Sequence, residues 1–546
     1  MTEMSKFARA IMEQKYSHKN KEGETETWEN IAYRVSKKVL QAVRAPQSQI
    51  DRTRKIITKR SFIPGGRYLA ATGRLFHQVN NCFLFRAEDS REGWSDLMYK
   101  ATLSLMTGGG IGSDYSAVRE RGRLIRKTGG EATGPIALMQ MVNESGRYIM
   151  QGGSRRSAIW AGLSWSHPDI QDFIRLKDWS EVVTAQKAIN FNFPAAMDMT
   201  NISVLLNDEF FEAYDDEKHE SNTLAHSVYW ATVRHMLETG EPGFSIDTGK
   251  NSRETLRNAC TEVTSADDSD VCNLGSINMA QINSLEEMEE SVELGIAFLL
   301  AGTVYSDIPF AGVDKVRNKN RRLGLGLMGL HEWLLCHGRK YGPDEELGKY
   351  LEIYAKADKY VKPYAKKWDL STPIKTRAIA PNGTIGIVAE TTTGVEPIFC
   401  AAYKRRYLKG SVWNFQYVVD PTAKRLLDSG VPLELIEDAY DLANDVERRV
   451  SFQAWVQQYV DHSISSTINL PRWGSPLNNE AKVRDFGNML IKYLPKLRGI
   501  TVYPDGARAG QPLSPVPLAE ALTQEGHVFE ESGTTVCDIT KGGECG

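Results

Sequence analysis

Asn258, Cys260 and Glu262 occupy alternate positions in the run Asn258-Ala259-Cys260-Thr261-Glu262. On an extended strand or loop this spacing points an amide, a thiol and a carboxyl the same way. The three could supply a sulfur nucleophile or radical from Cys260, a general base or acid from Glu262 and an orienting hydrogen bond from Asn258. The bland reading is the polar face of a half-buried strand, and spacing alone does not choose between the two. Cys272 follows twelve residues later in Cys272-Asn273-Leu274-Gly275-Ser276-Ile277-Asn278, and Cys82 lies far upstream in Asn81-Cys82-Phe83-Leu84-Phe85. Seven cysteines in 546 residues are too few, and odd in number, for a secreted disulfide framework, so chemistry or burial must explain each. Cys336 and Cys400, beside Trp333-Leu334-Leu335 and Pro397-Ile398-Phe399, read as buried spectators. No H-E-x-x-H and no C-x-x-C occurs, so no metal site is indicated.

The elements that must position these residues read as an α/β protein. Lys and Arg total 66 against 69 Asp and Glu, with 41% hydrophobic and 25% charged residues, an ordinary globular balance. The net charge of −3 leaves no footprint for nucleic acid, and no apolar run is long enough to span a membrane. The N-terminus lacks the apolar core of a signal peptide, so a cytoplasmic location is expected. Thr27 as N-cap, with Ile31, Ala32, Val35 and Val39 at helical spacing and Pro46 beyond, predicts a helix within an N-terminal helical segment, residues 1–74. Between 75 and 510, short β-rich runs (Val79–Phe85, Ile202–Leu206) alternate with helical patterns such as Val292–Ala301, which argues for parallel strands. Residues 511–546 carry prolines and glycines with little hydrophobic period and read as a flexible tail, yet hold Cys537 and Cys545. Two glycine motifs are decoys. Gly324-Leu325-Gly326-Leu327-Met328-Gly329 fits a dinucleotide fingerprint but follows Asn318–Arg322 instead of a strand, so a closely packed glycine-bearing helix is expected. Gly108–Gly112 lacks the Lys-Ser/Thr of a phosphate loop and is expected to be a close turn.

With these motifs assembled, the chain resembles the catalytic subunit of ribonucleotide reductases, most closely the adenosylcobalamin-dependent class II enzymes. The resemblance rests on Asn-x-Cys-x-Glu and Cys-Asn-Leu-Gly-Ser-Ile-Asn, and on the glycine run continuing through Ser113–Gly122 and Gly152–Ala158. It continues through His167–Ile170, Asn201–Val204, Arg321–Gly329, Ala380–Ile385, Ser466–Pro471 and Thr501–Tyr503, in the family's order over about residues 60 to 512. It implies a ten-stranded α/β barrel of two parallel five-stranded halves with the active cysteine on a loop through its middle. By carry-over, a thiyl radical at Cys260 takes the 3′ hydrogen of a ribonucleotide, because an unactivated C–H bond offers no acidic proton. Glu262 would take the 3′ hydroxyl proton and Asn258 would hold the sugar. Cys82 and Cys272 would deliver two electrons as a dithiol and end as a disulfide. Cys537 and Cys545, spaced more widely than is usual in such tails, would pass electrons on from a thioredoxin- or glutaredoxin-like reductant. Pro381, Asn382, Gly383, Thr384 and Ile385 resemble the phosphate-binding turn, with Thr384 as hydroxyl donor and Asn382 standing where a small hydroxyl residue is usual. Gly153, Ser154, Arg155 and Arg156 resemble the loop through which a bound nucleotide effector alters base specificity.

The residues after Thr501-Val502 bear on the radical source. Class I enzymes have paired tyrosines here; this chain has Tyr503-Pro504, and proline cannot relay a radical. No glycyl-radical motif of the Arg-x-x-Gly-Tyr type stands in the tail. Adenosylcobalamin is therefore the implied cofactor, although no local D-x-H-x-x-G signature supports it. Only 82 residues run up to and include Cys82, too few for an ATP-sensing domain ahead of it, and a homodimer is expected. The substrates that the resemblance implies are ribonucleoside di- or triphosphates. Two alternatives stay open: a class I-like subunit needing a separate radical generator, and a catalytically silent nucleotide-binding paralogue.

Overall fold

The computed structural model describes residues 4–151, 155–190, 193–409, 412–433, 436–507 and 513–530. Five strands form the first half of the central sheet: β1 (Cys82–Arg86), β2 (Gly110–Asp114), β3 (Ile159–Ser164), β4 (Thr200–Asn207) and β5 (Gly243–Asp247), each parallel to the next. The second half holds β6 (Asp270–Asn278), β7 (Leu323–Met328), β8 (Thr467–Leu470) and β9 (Gly499–Pro504). Here β6 is parallel to β7 and β8 to β9. The gap between β7 and β8 is filled by residues 377–379, which bridge Leu325 on one side and Ile464 on the other, both in parallel. The halves meet antiparallel at two seams, β5 with β9 and β1 with β6, so ten extended segments close a ring. This is the expected barrel, with a tenth strand too short for its hydrophobic pattern to stand out.

Closure dictates where the connection between the halves must run. The last strand of the first half, β5, lies at one seam, and the first of the second half, β6, lies at the other. The intervening chain crosses the interior as a hairpin in which Leu256 pairs with Ser265 and Arg257 with Thr264. Glycine makes room for it. A Cβ on Gly112 of β2 would sit 1.9 Å from the Arg257 carbonyl oxygen, closer than any real contact. The Gly108–Gly112 run thus ends in a strand that lets another backbone pass against it, rather than in a turn alone. The G-x-G-x-x-G decoy resolves likewise. Gly324 and Gly326 lie in β7, not in a helix, and a Cβ on Gly326 would meet the Ala378 carbonyl at 2.7 Å. The short run Leu323–Met328 is buried on both faces, so its leucines alternate with glycine and not with polar residues, and the half-exposed pattern that would mark a strand is missing.

The N-terminal helix falls where the sequence places it, Trp28–Gln41. Thr27 and Asn30 cap each other's backbone N–H groups, and Ile31, Ala32, Val35 and Val39 are fully buried. These residues share a core with the long helix Leu285–Tyr305 and with β7. Beyond residue 511 the described chain is more regular than its composition suggests. Strands Leu513–Pro515 and Val528–Glu530 flank the hairpin Ala402–Lys409/Val412–Val419, and the helix Leu518–Gln524 sets Ala521 against Ala402 and Val419. Edge pairing to the hairpin and one small apolar cluster order a segment whose sequence shows no sustained period. Cys537 and Cys545 lie outside the described residues. No described helix is long and apolar enough to cross a membrane.

Candidate active site

The alternate spacing of Asn258, Cys260 and Glu262 is realised at the tip of the interior hairpin, not on an extended strand. Thr261 N–H donates to the Asn258 carbonyl at 3.0 Å, closing a turn, and Thr261 itself holds φ 66°, a left-handed conformation costly for a β-branched residue. Across that turn the Asn258 side chain accepts from Val263 N–H at 2.9 Å and hydrogen-bonds the Glu262 carboxyl. The amide and carboxyl are thus joined by folding back, and Cys260 is left at the apex. Ser463 N–H donates to the Glu262 carbonyl at 2.9 Å and fastens the return limb to the second half.

Register fixes the height of the apex. Cys272 on β6 is the direct partner of Cys82 on β1, and Cys82 is in turn the partner of Gly110 on β2. Three positions therefore form one row across the seam. A Cβ on Gly110 would lie 3.2 Å from that of Ala259, so the residue before Cys260 packs over this row. Directly opposed residues of an antiparallel pair have Cα atoms about 4.5–5.5 Å apart, within the span of a disulfide. The 190 residues separating Cys82 from Cys272 in sequence are closed by the seam. Cys272 is fully buried, in a small apolar cluster with Leu84, Leu256, Val263 and Leu274, and both cysteines described on the hairpin and β6 are free thiols.

The electrostatics suit groups that hold or exchange a proton without resting as ions. Cys260 is open to solvent yet ringed by protein; burial, and then the Glu262 carboxylate, push its thiol well up. Burial also pushes Glu262 up to about 7, against the stabilising hydrogen bond from Asn258, so its carboxyl changes charge near neutral pH. Cys272 is raised by burial and by Asp270. A neutral thiol has a hydrogen atom to give, and a thiolate has none.

A cavity of about 1390 Å³ opens at the end of the barrel where the first-half strands begin and the second-half strands end. Its lining includes Lys177, Glu241, Gly383, Thr384, Asn469 and Tyr503. Asn258, Cys260 and Glu262 are not among its walls; the hairpin runs toward the same end from beneath, Arg257 lying at the level of Gly112 and Ala259 at that of Gly110, nearer the strand starts. Of the expected phosphate turn, Pro381, Gly383 and Thr384 face the cavity. Asn382 does not offer its side chain there: its amide bonds Ser276 Oγ at 2.9 Å and the Leu327 carbonyl at 3.4 Å, and Ile385 is buried. Asn382, at φ 58°, shapes and anchors the turn that starts the helix Gly383–Ala389. Arg155 and Arg156 pair as a short strand with Met150–Gln151, while Gly153 and Ser154 lie outside the described residues. Cys400 is buried as expected. Cys336 is not; it ends the helix Leu330–Cys336, whose inward residues stop at Leu334, so its last turn reaches solvent despite the apolar run before it.

The comparison with known families decides the architecture's kinship. Residues 80–228, 217–353 and 375–503 match the family model described as ribonucleotide reductase, barrel domain. The chain belongs to the ribonucleotide reductase family. Among similar proteins is the vitamin B12-dependent ribonucleoside-diphosphate reductase of Mycobacterium tuberculosis, 26% identical over 541 residues that span 87% of this chain and 75% of that one. The enzyme of the same description from Thermoplasma acidophilum is 25% identical over 545 residues, 88% of this chain and 68% of the other. A putative adenosylcobalamin-dependent ribonucleoside-triphosphate reductase of Mycobacterium phage D29 is 26% identical over 439 residues, 68% and 59% respectively.

Some residues of this reductase barrel escaped the sequence reading. Glu254, Arg322, Lys375 and Arg498 converge beneath the hairpin, and Thr392, Thr393 and Tyr403 line the cavity. Arg253-Glu254 and Arg321-Arg322 look like solvated charge in sequence; the signal that could have marked them is a charged residue set directly before each apolar strand.

Proposed function

We propose that the chain reduces ribonucleotides to 2′-deoxyribonucleotides through a thiyl radical at Cys260, with Cys82 and Cys272 as the electron-donating dithiol. The observation that supports this reading is the single row of Cys272, Cys82 and Gly110 with Ala259, the neighbour of Cys260, seated over it. Cys260 removes the 3′ hydrogen; Glu262, poised to titrate near neutrality, takes the 3′ hydroxyl proton; Asn258 orients that carboxyl and the sugar. The 2′ hydroxyl leaves as water, and the two electrons come from the dithiol, which becomes a disulfide. Thr384 and the backbone N–H groups of Gly383 and Thr384 receive the substrate phosphates at the cavity wall.

Similarity to enzymes named for vitamin B12 supports adenosylcobalamin as the cofactor. The cavity fits it. At about 1390 Å³ it exceeds the roughly 300–1,000 Å³ of ordinary ligand pockets, as a bulky cofactor beside a nucleotide requires. Trp179 and His235 on one wall and Phe399 and Tyr403 on the other would hold it. When bound, the cofactor supplies the radical equivalent that oxidises Cys260. The exposed Tyr99 and Met106 on helix Arg91–Met106, and Met141 and Tyr148 on the contacting helix Pro135–Tyr148, support a homodimer, with Arg155 and Arg156 near an effector site. Cys537 and Cys545 relay electrons from a thioredoxin- or glutaredoxin-like protein. The test is deoxynucleotide formation from ribonucleoside di- and triphosphates with a small dithiol, with and without adenosylcobalamin in dim light. Product only with the cofactor is expected; product that needs a second protein instead would reassign the radical source.

A further inference from the structure

At the barrel end opposite the cavity, the hairpin stands on a buried cluster of charge. Asp270, Arg322, Lys375, His462 and Arg498 each precede or open a strand segment of the second half, so the closed ring delivers their side chains to one place. Asp247 ends β5, and Asp114, ending β2, accepts from Thr255 at 2.6 Å. Arg257 of the hairpin, fully buried, donates to Asp247 at 2.5 Å and to the Glu254 carbonyl. Arg322 also donates to Asp270 at 2.6 Å.

One side chain lies at the centre. The Glu254 carboxylate accepts from Thr264 Oγ at 2.8 Å, Arg322 at 3.3 Å, Arg498 at 3.4 Å and Lys375. Thr264 is on the hairpin's return limb; the three cations come from three separate segments of the wall. A single carboxylate therefore ties the catalytic hairpin to β7, to the segment before 377 and to β9. Burial alone would raise its pKa, but Lys375 and Arg322 bring it down to about 2, so the carboxylate stays charged through the physiological range. Buried ion clusters are weak evidence for stability, because desolvation offsets much of the attraction. Their use here is geometric: reacting atoms about 1 Å out of place lose about a hundredfold in rate.

We propose that Glu254 is a positioning residue for the reaction, holding the base of the interior hairpin so that Cys260 stands at the row of Cys82 and Cys272. This rests on the thiyl-radical reading above. The test uses the full chain with Glu254→Gln, Glu254→Asp and the nearly isosteric Thr264→Val, which removes the hydroxyl that donates to Glu254 and touches His462 Nδ1 at 3.2 Å, and deletes no ionisable group. Steady-state turnover is expected to show kcat down tenfold or more in Glu254→Gln with KM within twofold, a smaller loss in Thr264→Val and partial recovery in Glu254→Asp. Amide hydrogen exchange read by mass spectrometry, on protein without nucleotide or cofactor, is expected to quicken in residues 256–265 and not in the outer helices. Turnover within twofold of the parent in both Glu254→Gln and Thr264→Val, or unchanged exchange across 256–265, would overturn the proposal; should Glu254→Gln not fold, Thr264→Val decides. A parent chain that makes no deoxynucleotide would sink the reductase reading, while the exchange pattern still decides whether Glu254 holds the hairpin.

Discussion

Two carboxyls eight residues apart on one hairpin are driven in opposite directions. Glu254, at the base, meets three cations and a hydroxyl and is held at about 2; Glu262, at the tip, is almost fully buried with an amide as its named stabilising side chain and is pushed up to about 7. Burial raises the pKa of both, so it is the cations around Glu254 that turn its shift downward. The base is built to remain an ion and the tip to change its charge. Of two like groups pulled apart in this way, the one poised near neutrality is the one suited to proton transfer.

Several substitutions would break or sharpen that contrast. The largest effect is expected at the apex: Cys260→Ser should abolish deoxynucleotide formation with every reductant, since the alcohol O–H bond is too strong for the same radical cycle, and measurable turnover in that variant would remove Cys260 from its role. Glu262→Gln should lower kcat by about 10²–10⁴, the usual worth of a positioned general base. In the parent, kcat should climb with pH up to about 7 as the carboxylate forms, a limb absent from the residual activity of Glu262→Gln. Gly112→Ala should disturb tip and base together, because its methyl would overlap the Arg257 carbonyl; a loss of a few kcal/mol in denaturant unfolding is expected, as for other overpacked cores.

The smallest effect is a stability difference of opposite sign at the two carboxyls. Glu262 binds its proton more tightly folded than unfolded, so folding stability falls as pH rises from 4.5 through about 7. Glu262→Gln should therefore be more stable than the parent at pH 8, by at most about 3 kcal/mol, and no different near pH 4. Glu254 behaves inversely: its contribution is present above the ordinary carboxyl range and lost as pH falls toward 2. Thermal unfolding of both Gln variants across pH would show whether the two curves cross.

How much of this was legible in the sequence depends on the range of the interaction. Thr27 and the four apolar positions of its helix announce themselves locally, and so do the thiol, amide and carboxyl of the tip. The order of motifs carried the barrel. What local pattern could not carry was any feature made by closure: the opposition of Cys82 and Cys272, the bridging segment at 377–379, the clamp around Glu254. Glycines 324 and 326 misled for the same reason, since their strand is buried on both faces and its neighbours are remote in sequence. Cys336 misled in the other direction, because an apolar run says nothing about where a helix ends.

The crossing hairpin bears on how the chain reaches this state at all. It is the link between the two halves, and it is enclosed by both. A link of that kind cannot be inserted once the ring has shut, nor left outside while each half matures alone. The second half can thus complete the ring only with the hairpin already laid against Gly112, and the halves, though consecutive in sequence, should melt as one cooperative unit, not as two domains in series.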